Sequence, residues 1–324
     1  MNAGKMKMSK IDEILKKVKT VAIAGHVKPD GDCAGSCLGL YNYIKDNFPN
    51  TEVDIYLEPL PYTFLFMRNS DKVRSEAELD IQYDLFIALD CGSIDRTGFA
   101  SKYFETAKDT LCIDHHISNN GYANTNFIEA HISSTCELLF NLMDVDKISK
   151  EVAECLYTGI VHDTGIFQYN CTSSKTMNIA GVLMDKGIDF TKIVDDTFFK
   201  KTFTQNKMLG MAMDKAKLYL DGKCIISVLT LEDMAKYNAK PEDLEGTINA
   251  LRVTKDVEAG VLIYEKEKNV YRLSMRSNGK VDLSKIAVEF NGGGHVMAAG
   301  GTVYGEILPG IDRLLNMISE QLEQ

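Results

Sequence analysis

The chain has 324 residues, with 36 lysines and arginines against 46 aspartates and glutamates, and its formal net charge is −10. This length suits two domains, and no apolar run approaches the roughly 18 residues that a membrane span requires. The acidic balance disfavours binding to a long nucleic acid duplex, which normally uses a basic stripe that releases many counterions. A small anionic ligand held by a few contacts remains compatible with this charge.

The cysteines and the N-terminus both indicate a cytoplasmic protein. The eight cysteines include no Cys-x-x-Cys pair, and most lie in apolar patterns, where cysteine behaves as a small hydrophobic residue. Residues 1–19 are rich in lysine but lack the apolar segment of a secretory signal. We therefore expect neither a disulfide framework, nor a zinc ribbon, nor membrane association.

The first 190 residues or so predict alternating strands and helices. Short, nearly all-apolar runs at 21–24, 85–89 and 111–113 are typical of parallel strands that are buried on both faces beneath helices. Ser134 and Glu137 have the spacing of a capping box ahead of an apolar helical stripe. The other predicted elements are a strand at 53–57 and helices at 35–47, 151–161 and 175–186.

Acids and histidines follow these apolar runs. His26, Asp30 and Asp32 lie together on one predicted Gly/Pro loop after the first strand, and the others are Asp90, Asp114-His115-His116 and Asp163. Functional groups gather at the carboxyl ends of strands in an open α/β sheet. Several acids at one edge repel one another and need a cation, and mainly oxygen ligands with two imidazoles favour Mn²⁺, or alternatively Mg²⁺. Asp90 could be shared between two ions.

The remainder of the chain predicts a second, smaller α/β domain. A long helix at 198–220 would connect the two domains. Strands are predicted at 224–229, 257–264 and 270–275, with a turn at 265–269, helices at 231–237 and 242–252, and a glycine-rich segment at 291–295. Glycines there would let the backbone approach a ligand closely and offer N–H donors to a phosphate.

The motifs together resemble those of the DHH phosphoesterase superfamily. The resemblance rests on His26-x-x-Pro29-Asp30-Gly31-Asp32, the Asp90 segment, Asp114-His115-His116 and the Asp163 segment. Gly292-Gly293-Gly294-His295-x-x-Ala298-Ala299-Gly300 and Ser274-Met275-Arg276-Ser277 are similar to the accompanying DHHA1 domain, although Asn291 stands where many relatives carry glycine. Size and domain order resemble the bacterial nanoRNase and pAp-phosphatase group.

This resemblance implies an architecture and a set of site residues. It implies a DHH catalytic domain at 1–190, a helical linker at 191–215 and a DHHA1 substrate-binding domain at 216–324, with the active site in the cleft between the domains. One metal would bind His26, Asp30 and Asp90, and a second would bind Asp32, Asp90, His115 and Asp163. Asp114 would orient the histidine pair, while His116 and Arg96 would contact the phosphate. Substrate contacts would come from Arg276, Ser277, Gly292, Gly293, Gly294 and His295.

The resemblance also implies an activity. We expect a two-metal enzyme that hydrolyses very short single-stranded oligonucleotides to mononucleotides, or 3′-phosphoadenosine 5′-phosphate to AMP. A phosphodiesterase for linear or cyclic dinucleotides and a non-catalytic nucleotide sensor remain alternatives, and a homodimer remains open. A family II pyrophosphatase should carry a lysine-rich signature in its second domain, and a long-strand exonuclease should carry further basic modules. Neither feature is found in the sequence.

Overall fold

A computed structural model describes residues 9–78 and 80–323, which form two compact units, the first ending at Lys200 and the second beginning at Lys201. This division falls inside the predicted linker. The prediction for the lysine-rich N-terminus lies partly outside the described residues. Among the helices that are described, none combines the length and apolar character needed to cross a bilayer.

Unit 1 contains a six-stranded sheet in which every pairing is parallel, with the order β3-β2-β1-β4-β5-β6. The strands are β1 Thr20–Ala24, β2 Glu52–Tyr56, β3 Val73–Arg74, β4 Leu85–Leu89, β5 Asp109–Asp114 and β6 Thr125–Ile128. The predicted parallel sheet is confirmed, and β1 and β4 are buried almost throughout. Burial on both faces explains why these runs are apolar without alternation.

The helices of unit 1 cover both faces of this sheet. They are α1 Lys10–Leu15, α2 Gly31–Asn47, α3 Ser101–Thr106, α4 Thr135–Leu142, α5 Lys150–Asp163, α6 Ser174–Asp185 and α7 Phe190–Val194. Val21 and Ile23 of β1 pack into the core formed with α2, α4 and α5. Ala22 and Ala24 point the other way, into the cluster that contains Tyr103 of α3. One strand therefore contributes to two hydrophobic layers.

Helix α2 begins earlier than the sequence pattern suggested. Oδ1 of Asp30 accepts hydrogen bonds from the backbone N–H groups of Asp32 and Cys33, each at 3.1 Å, so Asp30 is the N-cap. The prediction that Asp32 lies on an irregular loop was wrong, because the cap starts the helix at Gly31 and places Asp32 in its first turn.

The predicted capping box of α4 is only half present. Ser134 Oγ accepts from the backbone N–H of Glu137 at 3.0 Å, as predicted. The Glu137 carboxylate, however, accepts hydrogen bonds from the hydroxyls of Ser133 and Thr176. The glutamate is buried, and it joins α4 to α6 instead of closing the box.

Unit 2 contains a second, mostly antiparallel six-stranded sheet with the order β11-β12-β10-β9-β8-β7. Its strands are β7 Lys217–Tyr219, β8 Cys224–Leu229, β9 Ala259–Glu267, β10 Val270–Ser277, β11 Gly293–His295 and β12 Ala298–Tyr304. Its helices are α8 Phe203–Lys215, α9 Leu231–Ala235, α10 Thr247–Arg252, α11 Leu283–Glu289 and α12 Ile307–Leu322. Only β8 and β9 pair in parallel.

Two predicted helices of unit 2 differ from the structure. The helix predicted at 198–220 spans only Phe203–Lys215, because Thr202 caps its start and residues 217–219 join the sheet as β7. The helix predicted at 242–252 is a short 3₁₀ turn followed by α10, separated by Gly246 at a φ of 81°. The glycine-rich segment pairs with β12 as a hairpin.

Candidate metal centre

Most of the site residues that the sequence predicted in unit 1 line one cavity of about 410 Å³. They reach it from the ends of β1, β4 and β5 and from the last turn of α5. The cavity is lined by His26, Asp30, Asp90, His115, His116, Ile117, Ala130, Ile132, Ser133, Asp163 and Cys171. Four separated chain segments thus deliver ligand-type side chains to one edge of the sheet.

His26 and two carboxylates form the first group. His26 Nδ1 donates to the carbonyl oxygen of Val27 at 2.9 Å, which directs Nε2 towards the acids. That nitrogen lies 3.6 Å from Oδ1 of Asp30 and 3.4 Å from Oδ2 of Asp90. These separations are suitable for three donors around one divalent cation.

His115 anchors a second group on the other side of Asp90. Its Nε2 lies 3.1 Å from Oδ2 of Asp163, 3.6 Å from Oδ1 of Asp90 and 3.9 Å from Oδ2 of Asp32. Asp90 therefore faces His115 with one carboxylate oxygen and His26 with the other. A carboxylate has an acceptor site on each oxygen, so each of the two groups has one Asp90 oxygen available to it.

Helix α4 holds two of these carboxylates through residues that the sequence predictions missed. Asp32 accepts hydrogen bonds from the backbone N–H groups of Thr135 and Cys136 at 2.7 and 2.9 Å. The Thr135 hydroxyl donates to Oδ1 of Asp90 at 3.1 Å. The sequence signal at Thr135 was only its place at a predicted helix start. Its contacts with Asp32, through the backbone N–H, and with Asp90, through the hydroxyl, follow from how α4 packs.

Asp114 is fully buried and acts on His116. Its Oδ1 accepts from His116 Nδ1 at 2.7 Å, and its Oδ2 accepts from Asn119 Nδ2 at 2.6 Å. Burial by itself would raise the pKa of Asp114, but these two hydrogen bonds outweigh burial and lower it. The hydrogen bond from Asp114 in turn raises the pKa of His116. Asn119 is a second residue that the sequence predictions missed.

The electrostatics of this cluster favour a bound cation. Burial and the neighbouring carboxylates of Asp163 and Asp90 raise the pKa of Asp32 well above its usual value. Burial would lower the pKa of both histidines, but hydrogen bonds to carboxylates raise it to about 12 for His26 and about 10 for His115. Without a metal, the site lowers its repulsion by holding protons. A divalent cation would replace those protons, so the donor set fits such an ion.

The thiol of Cys33 also lies beside His26 and Asp90 of the first group. Ligand atoms of His26, Cys33 and Asp90 lie within 4.8 Å of one another. Burial raises the pKa of Cys33 well above its usual value, so the sulfur is held as a neutral thiol, which is a poor metal ligand. The hard oxygen and imidazole character that the sequence predicted is therefore retained.

The other predicted site residues do not line this cavity. Arg96 is exposed, and its carbonyl accepts from the backbone N–H of Val27 at 2.7 Å. Arg276, Gly293 and Gly294 line a separate cavity within unit 2. Ser277 is buried, and its hydroxyl accepts from the backbone N–H of Gly279 at 3.0 Å. Gly292 and His295 belong to the β11 hairpin region, where His295 is exposed.

The hydroxyl of Thr135 offers a test of how the site is positioned. Thr135→Val keeps the shape and the backbone N–H but removes the hydrogen bond to Asp90. We expect Mn²⁺ affinity to fall by about 10–100-fold, as is usual when a partner that orients a ligand is lost. Isothermal titration with Mn²⁺ measures this. Thr158→Val is the matched control, because Thr158 is also buried in a helix but bonds only to the carbonyl of Glu154. Equal effects of the two variants would contradict the assignment.

Comparisons with known proteins find similarity along nearly the whole chain. Residues 20–160 match the family model described as the DHH family N-terminal domain, and residues 221–324 match the DHHA1 domain. A bifunctional oligoribonuclease and PAP phosphatase from Thermus thermophilus is 27% identical over 322 residues, covering 98% of this chain and 94% of the relative. A probable protein of the same description from Streptococcus mutans is 28% identical, covering 92% and 94%. The crystal structure of an exopolyphosphatase-related protein from Bacteroides fragilis superposes with a TM-score of 0.84 at 28% identity, covering 97% and 94%.

Proposed function

Because this chain is a DHH-family protein with a DHHA1 domain, we propose that it is a two-metal phosphoesterase acting on very short oligonucleotides and on 3′-phosphoadenosine 5′-phosphate. It would release mononucleotides from the first substrate and AMP from the second. The observation that carries this proposal is the position of Asp90, whose two oxygens face two separate donor groups. The names of the relatives aligned along the chain support the choice of substrates.

The proposed metal ligands divide into two sets that share Asp90. His26 and Asp30 complete one set, and Asp32, His115 and Asp163 complete the other. Two divalent cations, Mn²⁺ or alternatively Mg²⁺, would supply a hydroxide nucleophile and offset the charge of the phosphoryl group. The hydrogen bonds from α4 hold Asp32 and Asp90 in place before any ion binds, which reduces the reorganisation that binding requires.

His116 is proposed to contact the phosphate. Its Nδ1 is bonded to Asp114, which leaves Nε2 as the nitrogen that can reach a ligand in the cavity. The raised pKa favours the imidazolium, which can donate a charged hydrogen bond to a phosphate oxygen. Asp114 and Asn119 would fix the plane of this ring. Arg96 is proposed as a further phosphate contact because of its place a few residues after Asp90.

Substrate length tests the proposed function. We expect activity with Mn²⁺ to fall as labelled RNA lengthens from two to about five nucleotides and to be poor on a 24-mer, because the acidic chain offers no continuing track for phosphates. Measuring kcat/KM across a 2-mer to 24-mer ladder, with 3′-phosphoadenosine 5′-phosphate alongside, checks this. Digestion of the 24-mer as fast as the dimer would favour a long-strand exonuclease. Hydrolysis of dinucleotides alone would favour a dinucleotide phosphodiesterase, and binding without hydrolysis would favour a sensor.

A further inference from the structure

The cavity at the metal centre has apolar residues as well as acids in its lining. His26 and Asp90 reach it from β1 and β4. Ile117 follows the histidine pair after β5, and Ala130 and Ile132 follow β6, so that all three line the cavity from the β5 and β6 end of the strand order. None of the proposed metal ligands lies on β6 or on the segment that follows it.

Ile117 lies in a tight turn directly after the two histidines. The backbone N–H of Asn119 donates to the carbonyl oxygen of His116 at 3.1 Å, which makes Ile117 and Ser118 the central residues of the turn. Such positions favour Gly, Pro, Asn, Asp and Ser, which either adopt the turn conformation easily or hydrogen-bond to the backbone. Isoleucine does neither, so the turn itself does not explain its presence.

Asn119 anchors this turn to the sheet. Its Nδ2 donates to the carbonyl oxygen of Cys91 at 3.0 Å and to Oδ2 of Asp114 at 2.6 Å. Its Oδ1 accepts from the backbone N–H of Gly121 at 2.9 Å. Ile117 is nevertheless 84% exposed. The anchored turn therefore presents an apolar side chain at a defined place, which lowers the entropy lost when a ligand contacts it.

A single exposed apolar side chain on a surface needs no explanation. Ile117 is different because it shares a cavity with Ala130 and with the buried Ile132. The segment that carries these two residues is tied to the end of β5, since the backbone N–H of Glu129 donates to the carbonyl oxygen of Asp114 at 3.1 Å. We call Ile117, Ala130 and Ile132 the apolar wall of the cavity.

The apolar wall lies beside the residue that is proposed to contact the phosphate. Ile117 directly follows His116, and both line the cavity; consecutive Cα atoms are about 3.8 Å apart. In a nucleotide ester the ribose begins one ester oxygen away from the phosphorus. A phosphate held at His116 and the cations would therefore bring its nucleoside to the wall, whereas inorganic phosphate has no apolar group to place there.

We propose that the apolar wall packs against the nucleoside attached to the reacting phosphate, and that Ile117 thereby makes the metal centre select nucleotide esters over phosphates that lack an organic group. This inference rests on the proposed function for the reaction. It deepens that function, because it names the residues of unit 1 that recognise the organic part of the substrate.

The test is steady-state hydrolysis of a 5′-phosphorylated dinucleotide with Mn²⁺ by the full chain, comparing the wild type with Ile117→Ser. The variant should raise KM about tenfold, the lower end of what a methylene group contributes in a hydrophobic pocket, because Ile117 is open to solvent. A contact made equally in the ground and transition states changes KM alone, so kcat should stay within about twofold. Serine is common in turns, so the fold should be retained.

Two further variants serve as controls. Ile117→Leu keeps the apolar volume and should have a KM close to that of the wild type. Val145→Ser is the matched control, because Val145 is also an exposed β-branched residue of unit 1, at the start of the 3₁₀ turn Val145–Lys147, and does not line the cavity. It should leave KM unchanged.

Product inhibition separates contact with the nucleoside from contact with the phosphate. AMP and inorganic phosphate are each tested as inhibitors of dinucleotide hydrolysis. In Ile117→Ser the inhibition constant of AMP should rise by the same factor as KM, while the inhibition constant of inorganic phosphate and the affinity for Mn²⁺ should not change. A residue that only positioned the metal ligands would weaken the binding of phosphate and Mn²⁺ as well.

Two results would overturn the role of the wall. One is an unchanged KM in Ile117→Ser, and the other is equal weakening of AMP and inorganic phosphate. Either result with turnover intact leaves the proposed function in place. If the wild type hydrolyses no substrate, isothermal titration of the Mn²⁺-loaded protein with AMP and inorganic phosphate replaces the inhibition assay. AMP binding that depends on Ile117 would then support the wall and remove the catalytic assignment, whereas AMP binding that does not would overturn both.

Discussion

Asp90→Asn is expected to lower kcat for phosphoester hydrolysis by on the order of 10²–10³-fold or more, a loss typical of removing one group that stabilises charge at a reacting centre. The reason is that Asp90 faces both donor groups, with Oδ2 near His26 and Oδ1 near His115. Asparagine keeps one oxygen as an acceptor for Thr135 but removes the negative charge that both cations would share. Steady-state kinetics with Mn²⁺ and a dinucleotide measure the effect.

Asparagine is the informative replacement because of the backbone at this position. Asp90 has a φ of 57°, in the left-handed region that asparagine tolerates better than most residues. The fold should therefore survive, and removing one acid from an acidic cluster relieves repulsion in the metal-free protein. Asp221→Asn is the matched control, since Asp221 also has a positive φ, of 52°, but lies in unit 2. Near-normal turnover by a folded Asp90→Asn protein would exclude Asp90 as the shared ligand.

Removal of metal is expected to reduce hydrolysis to background. The proposed ligands are carboxylates and two imidazoles, so a chelator should extract the ions, and Mn²⁺ should restore activity better than Mg²⁺ because imidazole is softer than Mg²⁺ prefers. The measurement is turnover in excess EDTA, followed by dialysis and addition of each ion separately. Undiminished turnover in EDTA would contradict the proposal that metal ions take part in hydrolysis.

The affinity of the site for Mn²⁺ is expected to depend on pH in a definite direction. In the metal-free site the pKa of His26 is raised to about 12 and that of His115 to about 10, so both imidazoles are protonated near neutral pH. A cation can bind these nitrogens only by displacing their protons. The apparent affinity for Mn²⁺ should therefore increase as the pH rises from about 6 to about 8. Titrations in two buffers with different ionisation enthalpies should show net proton release, and its absence would mean that the histidines are not ligands.

Local sequence patterns were sufficient to predict the acids and histidines of unit 1 that the structure brings together. Strands buried on both faces of a parallel sheet must be apolar throughout, so runs such as 85–89 stand out, and the first polar residue after each run marks an edge of the sheet. His26, Asp90 and Asp114 were found in this way. The α/β class and the parallel sheet follow from the same pattern, because periodicity within a strand or helix depends only on neighbouring residues.

Tertiary structure alone decided which groups hold these acids and which residues of the second sheet share a cavity. Thr135 and Asn119 lie 45 and 5 residues along the chain from the carboxylates they contact, and no local pattern indicates those hydrogen bonds. The residues that line the unit 2 cavity are brought together by the register of β10 with β9 and β12. Register and helix packing are set by contacts between distant segments, so Arg272 and Thr302 become neighbours only when the sheet has formed.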